Sequence, residues 1–239
     1  MKRLLVLVCL GLAGCSKGHV QTTGMAPSGP LPPPAHVVIT DFAITPDQVH
    51  LDTGIGAQLR REASGEQAAA AVTEAAQETQ AALTDTLVKK LSAYGLPAER
   101  RSAITVPPPG SLLVQGQIVS VNQGNRTRRT LIGLGAGKSS VTANAQLYYL
   151  GDPSAPQFLQ SFAGSADSGR MPGAAETMGA GAAAQRVATS TAVSAAAHAG
   201  DEIYRTGDAA NAAKLAGELA RQIGEYAVQQ GWIPPNAVQ

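Results

Sequence analysis

From Ser140 to Leu150 the side chains alternate without a break. Val141, Ala143, Ala145, Leu147 and Tyr149 share one side, and Ser140, Thr142, Asn144, Gln146 and Tyr148 share the other. A period of two places neighbouring side chains on opposite faces of an extended backbone, so this segment predicts a strand with one buried and one wet face. Leu112 to Val121 repeats the pattern, with Leu112, Val114, Gly116 and Ile118 opposed to Gln115 and Gln117. Phe158 to Gly164 follows with Phe158, Gln160 and Phe162 on one face, after a turn at Gly151-Asp152-Pro153. Together these segments predict an antiparallel three-strand meander, wet on one side.

The remaining elements fall on either side of that meander. His36 to Ile44 is β-branched and apolar on both faces, as a strand covered twice should be. Thr45 to Gly65 carries Pro46, Gly54, Gly56 and mixed charge and reads as a loop with room for a short strand or turn. Glu66 to Tyr94 carries Val72, Ala76, Thr79, Leu83, Leu87, Leu91 and Tyr94 at spacings of three and four, with Ser64 as its expected cap and Gly95 past its end. Ala98 to Pro109 is a connector with room for a short strand around Ile104 to Val106. Ala174 to Ala199 reads as an alanine-rich helix, interrupted by Glu176, Arg186 and His198 and too charged to cross a bilayer. Thr206 to Gln230 is the last helix, through Ala212, Leu215, Leu219, Ile223 and Tyr226, and Trp232-Ile233 docks the tail. The order predicts an α+β (or α/β) two-layer sandwich, a mixed sheet with the helices packed on one side.

The amino terminus has a different grammar. Met1-Lys2-Arg3 precedes an apolar run from Leu4 to Leu12, then Ala13, Gly14 and Cys15. A basic start and an apolar core too short to span a bilayer make a signal peptide. The small residues before Cys15 resemble a bacterial lipobox, with cleavage between Gly14 and Cys15 and lipid on the Cys15 thiol. Two or more acyl chains make a durable anchor. Ser16 follows where an aspartate retains enterobacterial lipoproteins at the inner membrane, so the expected location is the outer membrane, domain facing the periplasm. Residues 16–35 are mostly Gly, Ser, Thr, Gln and Pro with little to bury, and read as a tether reaching roughly 60 Å when extended. The expected layout is 1–14 signal peptide, 15–35 lipidated cysteine and flexible tether, 36–233 one globular periplasmic domain, and 234–239 disordered tail.

Charge narrows the partners. Losing Lys2 and Arg3 with the signal leaves 16 basic against 17 acidic side chains, which gives no electrostatic case for nucleic acid. With Cys9 removed and Cys15 lipidated, the folded part has no thiol, so packing alone must stabilise it. Aromatics make up only 4 % of the chain and alanine is abundant, which predicts close helix contacts and a thin core.

Four motifs bear on chemistry. Gly133 to Ser139 ends in Gly-Lys-Ser, yet Ile132 stands where a phosphate-binding loop needs its first glycine, and a strand follows where a helix should. A glycine-rich bend is the better reading. Arg126, Arg128 and Arg129 fill the preceding turn and are candidates to contact an anion or a partner, against the simpler reading of a solvated hairpin tip. His50 with Asp47 and Asp52 lacks a fourth ligand at recognisable spacing, so no metal and no cofactor is expected. Gly173, Gly179 and Gly181 with their alanines suit either close packing on the domain's own sheet or self-association into a homo-oligomer. No histidine pairs with a nucleophile in any recognisable motif, and no catalytic residue is assigned.

The lipobox, Val37 to Phe42 ending in Asp41-Phe42, Val114-Gln115-Gly116-Gln117-Ile118, the run from Arg129 to Gly137 and the Val141 to Tyr149 strand together resemble the proteobacterial lipoprotein family called domain-of-unknown-function 4410. The resemblance spans Ala35 to Trp232 and implies no activity and no site residue. At the level of architecture the chain is also similar to periplasmic lipoproteins of the curli-secretion-channel and peptidoglycan-synthase-activator type, an analogy of fold. The expected function is a non-catalytic binding or assembly factor in the periplasm. It is held to the membrane by its lipid and meets an envelope protein or glycan. An oligomeric export component and a hydrolase or metal enzyme without a sequence motif are the alternatives.

Overall fold

A computed structural model of the chain describes residues 18–65, 67–101, 106–125, 127–128, 136–152, 154–169 and 207–238. The alternating segments form long strands: β5 at Ser111–Asn122, β6 at Ser140–Leu150 and β7 at Gln157–Asp167. They pair antiparallel, with Gly116 opposite Ala145 and Ala145 opposite Phe162. The register shifts between Leu147 and Tyr148. This bulge corrects the expected facing of Phe158: it pairs with Tyr148 on the wet side, whereas Phe162 is buried. One extra residue in one strand is enough to reverse a face.

Two earlier strands extend the sheet beyond β5, the second of them at its edge. His36–Thr40 forms β2, in which Val37, Val38 and Ile39 are fully buried, and Ala98–Arg101 forms β4. Both run parallel as neighbours, with β5 on the other side of β2. The link from β2 to β4 contains β3 at Val49–His50, α1 at Ile55–Ser64 and α2 at Ala68–Ala93. A parallel pair needs such a crossover. Within α2, Ala76, Thr79, Leu83, Leu87 and Leu91 are buried as the spacing predicts. The expected cap is not formed, because Ser64 instead ends α1 and bonds back to the Arg61 carbonyl at 3.0 Å. Gly65, with φ of 67°, terminates α1 in the left-handed region that favours glycine. The strand expected around Ile104 to Val106 is found earlier, at β4, and residues 102–105 lie outside the described residues.

The last helix, α3 at Gly207–Gln229, packs against α2, and both helices cover one face of the sheet. Its inward stripe of Ala212, Leu215, Ala216, Leu219, Ala220, Ile223 and Ala227 brings small side chains to the contact, which lets the two helices approach closely. The fold is α+β with a mixed sheet, as the element order predicts. The alanine-rich segment 174–199 lies outside the described residues.

The expected tether is corrected most. His19–Met25 is a strand, β1, paired antiparallel with β7, so the antiparallel run has four strands rather than three. The full order is β1-β7-β6-β5-β2-β4, with β3 beside β5. Val20 is 5 % exposed and sits among Phe42, Leu83, Phe162 and Leu215. After β1 the chain is strapped down. Ala26 donates to the Leu159 carbonyl, Leu31 donates to Gln230 Oε1, and Trp232 Nε1 donates to the Leu31 carbonyl at 3.0 Å. The end of the chain is ordered as well. Trp232 meets Tyr226 edge to face at 5.7 Å, and Pro235–Val238 forms a short 3-10 helix whose Val238 packs on the core. The described structure therefore begins at Gly18 and reaches Val238, outside the expected bounds of 36 and 233.

Candidate functional site

The sheet face away from the helices carries an open cleft of about 680 Å³ over β1, β7, β6 and β5. Alternation puts it there. While Val114, Ile118, Ala143, Ala145 and Leu147 turn toward the helices, Gln115, Gln117, Asn144 and Gln146 turn outward. Cross-strand pairing then sets Gln115 opposite Gln146 and Gln117 opposite Asn144, with Ser161 of β7 opposite Gln146. Thr23 of β1 reaches the same surface and shares a 3.0 Å hydrogen bond with Ser161 Oγ. Tyr148 closes one end by donating to Gln146 Oε1 at 3.0 Å, and its ring meets Phe158 edge to face at 5.7 Å.

Close packing beneath holds this surface in shape. Phe42 is fully buried under Gly116, and Ala43 continues the ladder by donating to the Gly116 carbonyl and accepting from Ile118. Gln80 of α2 donates to the Phe42 carbonyl at 2.7 Å, which ties the helix layer to the cleft wall. Asp41, where the chain leaves β2, accepts from Arg100 at 2.6 Å, and Arg100 also donates to Asp85 at 2.8 Å. The hydrogen bond to Asp41, more than any other influence, raises the Arg100 pKa above its ordinary value.

Among the described residues, those lining the cleft are uncharged. Their amides and hydroxyls donate and accept hydrogen bonds, and none titrates in the neutral range. Chemically, this arrangement can exchange hydrogen bonds with a ligand rich in hydroxyl and amide groups, each bond contributing about 0.5–1.5 kcal/mol.

The residues singled out in the sequence lie elsewhere. Gly14, Cys15, Arg126 and Arg129 fall outside the described residues. Arg128 is exposed beyond the end of β5, where its backbone N–H donates to Asn125 Oδ1 at 2.9 Å. The run Gly133 to Gly135 is likewise outside the described residues, and Lys138 at its end pairs with Asp167 at 3.2 Å. Burial acts most strongly on Asp167 and raises its pKa. The Gly169 amide and the charges of Lys138 and Lys214 together outweigh that and hold it below the usual carboxylate range. His50 and Asp47 do not gather with Asp52, whose carboxylate instead caps the Gly54 amide at 2.8 Å. Among the described residues no three His, Cys, Asp or Glu side chains form a metal-holding group. The wet-face amides of β5 and β6 were visible as alternation. Thr23 was not, because nothing local marks a tether residue as a cleft wall, and the meeting of Thr23 with Ser161 depends on the pairing of β1 with β7.

A family model described as "Domain of unknown function (DUF4410)" matches residues 37–185, more than half the chain. The chain belongs to the DUF4410 family. Its matched span begins at β2 and takes in the meander, while β1 and α3, which pack against that span, lie outside it. Among solved structures the chain is similar to the PelC dodecamer from Paraburkholderia phytofirmans, at 14 % identity and a TM-score of 0.31, over 63 % of this chain and 81 % of that one. A variant of the same dodecamer in another crystal form gives 15 % identity and a TM-score of 0.29, over 63 % and 79 %. No curated protein matches.

Proposed function

We propose that this DUF4410 protein is a lipid-anchored envelope component, tied to the outer membrane through Cys15, whose sheet cleft binds a neutral envelope polymer without chemical turnover. The observation that carries the reading is the cleft itself: paired glutamine, asparagine, serine and threonine side chains in an open trough whose described lining is uncharged. Protein docking sites concentrate their binding energy in large aromatic and arginine anchors, whereas amide and hydroxyl side chains make up most of the described trough lining. A glycan strand matches it better. Its hydroxyls take up the amide array, and its ring faces suit Tyr148 and Phe158 at one end.

Two experiments test the parts separately. Gln115→Ala combined with Gln146→Ala removes two facing amides from exposed positions, so the fold should persist. Retention on purified cell-wall and outer-membrane glycan fractions should drop about tenfold, the equivalent of roughly 1.4 kcal/mol. Unchanged retention at unchanged stability would remove the cleft from the function. For the anchor, metabolic labelling with palmitate should mark the wild-type chain in a bacterial host and leave Cys15→Ala unlabelled. Equal labelling of both would place the lipid elsewhere or nowhere.

A further inference from the structure

The entrance of the folded chain and an unpartnered apolar helix face lie at one end of the sheet. Asn122 pairs with Ser140, and Ser140 with Asp167, in a row across β5, β6 and β7. His19 pairs with Ser165 next to that row, and His50, the last residue of β3, pairs with Asn122. The chain therefore enters β1 at the same end from which β3 runs into α1. Four interstrand spacings separate β3 from β1, roughly 20 Å. Gly18 is held in place by α3: a Cβ there would meet the Lys214 carbonyl oxygen at 3.0 Å. Only Ser16 and Lys17 stand between Gly18 and Cys15, so the cysteine Cα lies within about 11 Å of this end. A lipid on Cys15 brings this end of the domain, and not the opposite one, to the bilayer.

The helix α1 is built for that surface. Ile55 is 70 % exposed and Leu59 is 59 % exposed, four residues apart on one face, and no residue of α1 is buried. Its domain-facing side is fixed by Arg61, which donates to the Asp52 carbonyl at 3.0 Å. Gly54, just before it, lies against Asn125 and Thr127. Exposed Arg60 and Arg128, with Lys17 in the linker, outnumber Glu62, the one acidic residue of α1. We infer that α1 is a membrane-contacting helix, with Ile55 and Leu59 seated in the headgroup–acyl boundary of the same bilayer that holds Cys15. Two apolar side chains bind a bilayer weakly alone, but a lipid within reach raises their effective concentration at its surface. The strands then rise from the membrane, and the cleft on their open face stands beside it.

This inference rests on the lipidation of Cys15 proposed above, and one experiment separates the two. The lipidated full chain with Leu59→Cys, or with Ser154→Cys in the turn between β6 and β7 at the opposite end, carries a single reactive thiol. Each is labelled with an environment-sensitive fluorophore and reconstituted into phosphatidylethanolamine–phosphatidylglycerol vesicles containing brominated lipid. The label at Leu59 should shift to the blue and be quenched several-fold more strongly than the label at Ser154. Flotation with the vesicles together with equal quenching at the two sites would overturn the docking of α1 alone, including the case in which a protein partner covers that face. Failure to float would overturn the anchor and the docking together.

Discussion

Val20→Asp is expected to destabilise the protein by about 3–5 kcal/mol, the cost of leaving a charge buried without a partner. Val20 lies opposite Gly164, where even a Cβ on the glycine would meet Val20 Cγ2 at 2.6 Å and Leu215 Cδ1 at 2.8 Å. An aspartate there faces Phe42, Leu83, Phe162 and Leu215, side chains that carry neither a hydrogen-bond donor nor a positive charge. Since β1 is an edge strand, the chain has one escape: β1 can detach and leave the rest folded, which limits the loss to the free energy of docking β1. Urea denaturation read by tryptophan fluorescence, together with limited proteolysis around residues 18–30, distinguishes a global loss from a local one. In either case the amino-terminal segment becomes cleavable. A flexible tether would make the same substitution neutral to within about 0.5 kcal/mol, as for other exposed positions.

Gly116→Val should be comparably damaging for a different reason. Any Cβ at this position lies 2.5 Å from the Asn144 carbonyl oxygen and 2.6 Å from Phe42 Cδ1. The first neighbour is backbone of β6 and the second is a fully buried ring, so neither gives way cheaply. Overpacking of this kind costs typically about 1–3 kcal/mol, and two blocked directions place this case at the upper end or above it. Phe42→Ala alone should cost about 3–5 kcal/mol by opening a cavity under the sheet. Combined with Gly116→Ala, it should cost less than the sum of the two, because one of the two clashes is gone. The Asn144 contact remains, so the recovery is partial. Strict additivity in thermal or urea melts would mean that Phe42 does not lie beneath Gly116.

Both positions show where local pattern stops. Alternation at 112–121 and 140–150 identified β5 and β6, their buried faces and the amide row that lines the cleft. Helical spacing identified α2 and α3 nearly to their ends. These segments each bury a continuous stripe, and a stripe leaves its period in the sequence. Helix α1 leaves none, because it buries no side chain in its own domain. Strand β1 leaves none either. An edge strand with one inward valine in His19–Met25 looks like a polar linker until β7, more than 130 residues away, supplies its hydrogen bonds.

The sequence by itself determined the α+β class, the strand at β2, the inward and outward faces of β5 and β6 and the two helices that cover them, because burial of one face is a local constraint repeated along each segment. The tertiary structure alone decided that residues 18–35 belong to the domain, that Phe42 fills the space left by Gly116, and that Thr23 and Ser161 meet the β5 and β6 amides in one trough. Each of those depends on which strands become neighbours, and the free energy of strand pairing resides in contacts between residues far apart in the chain.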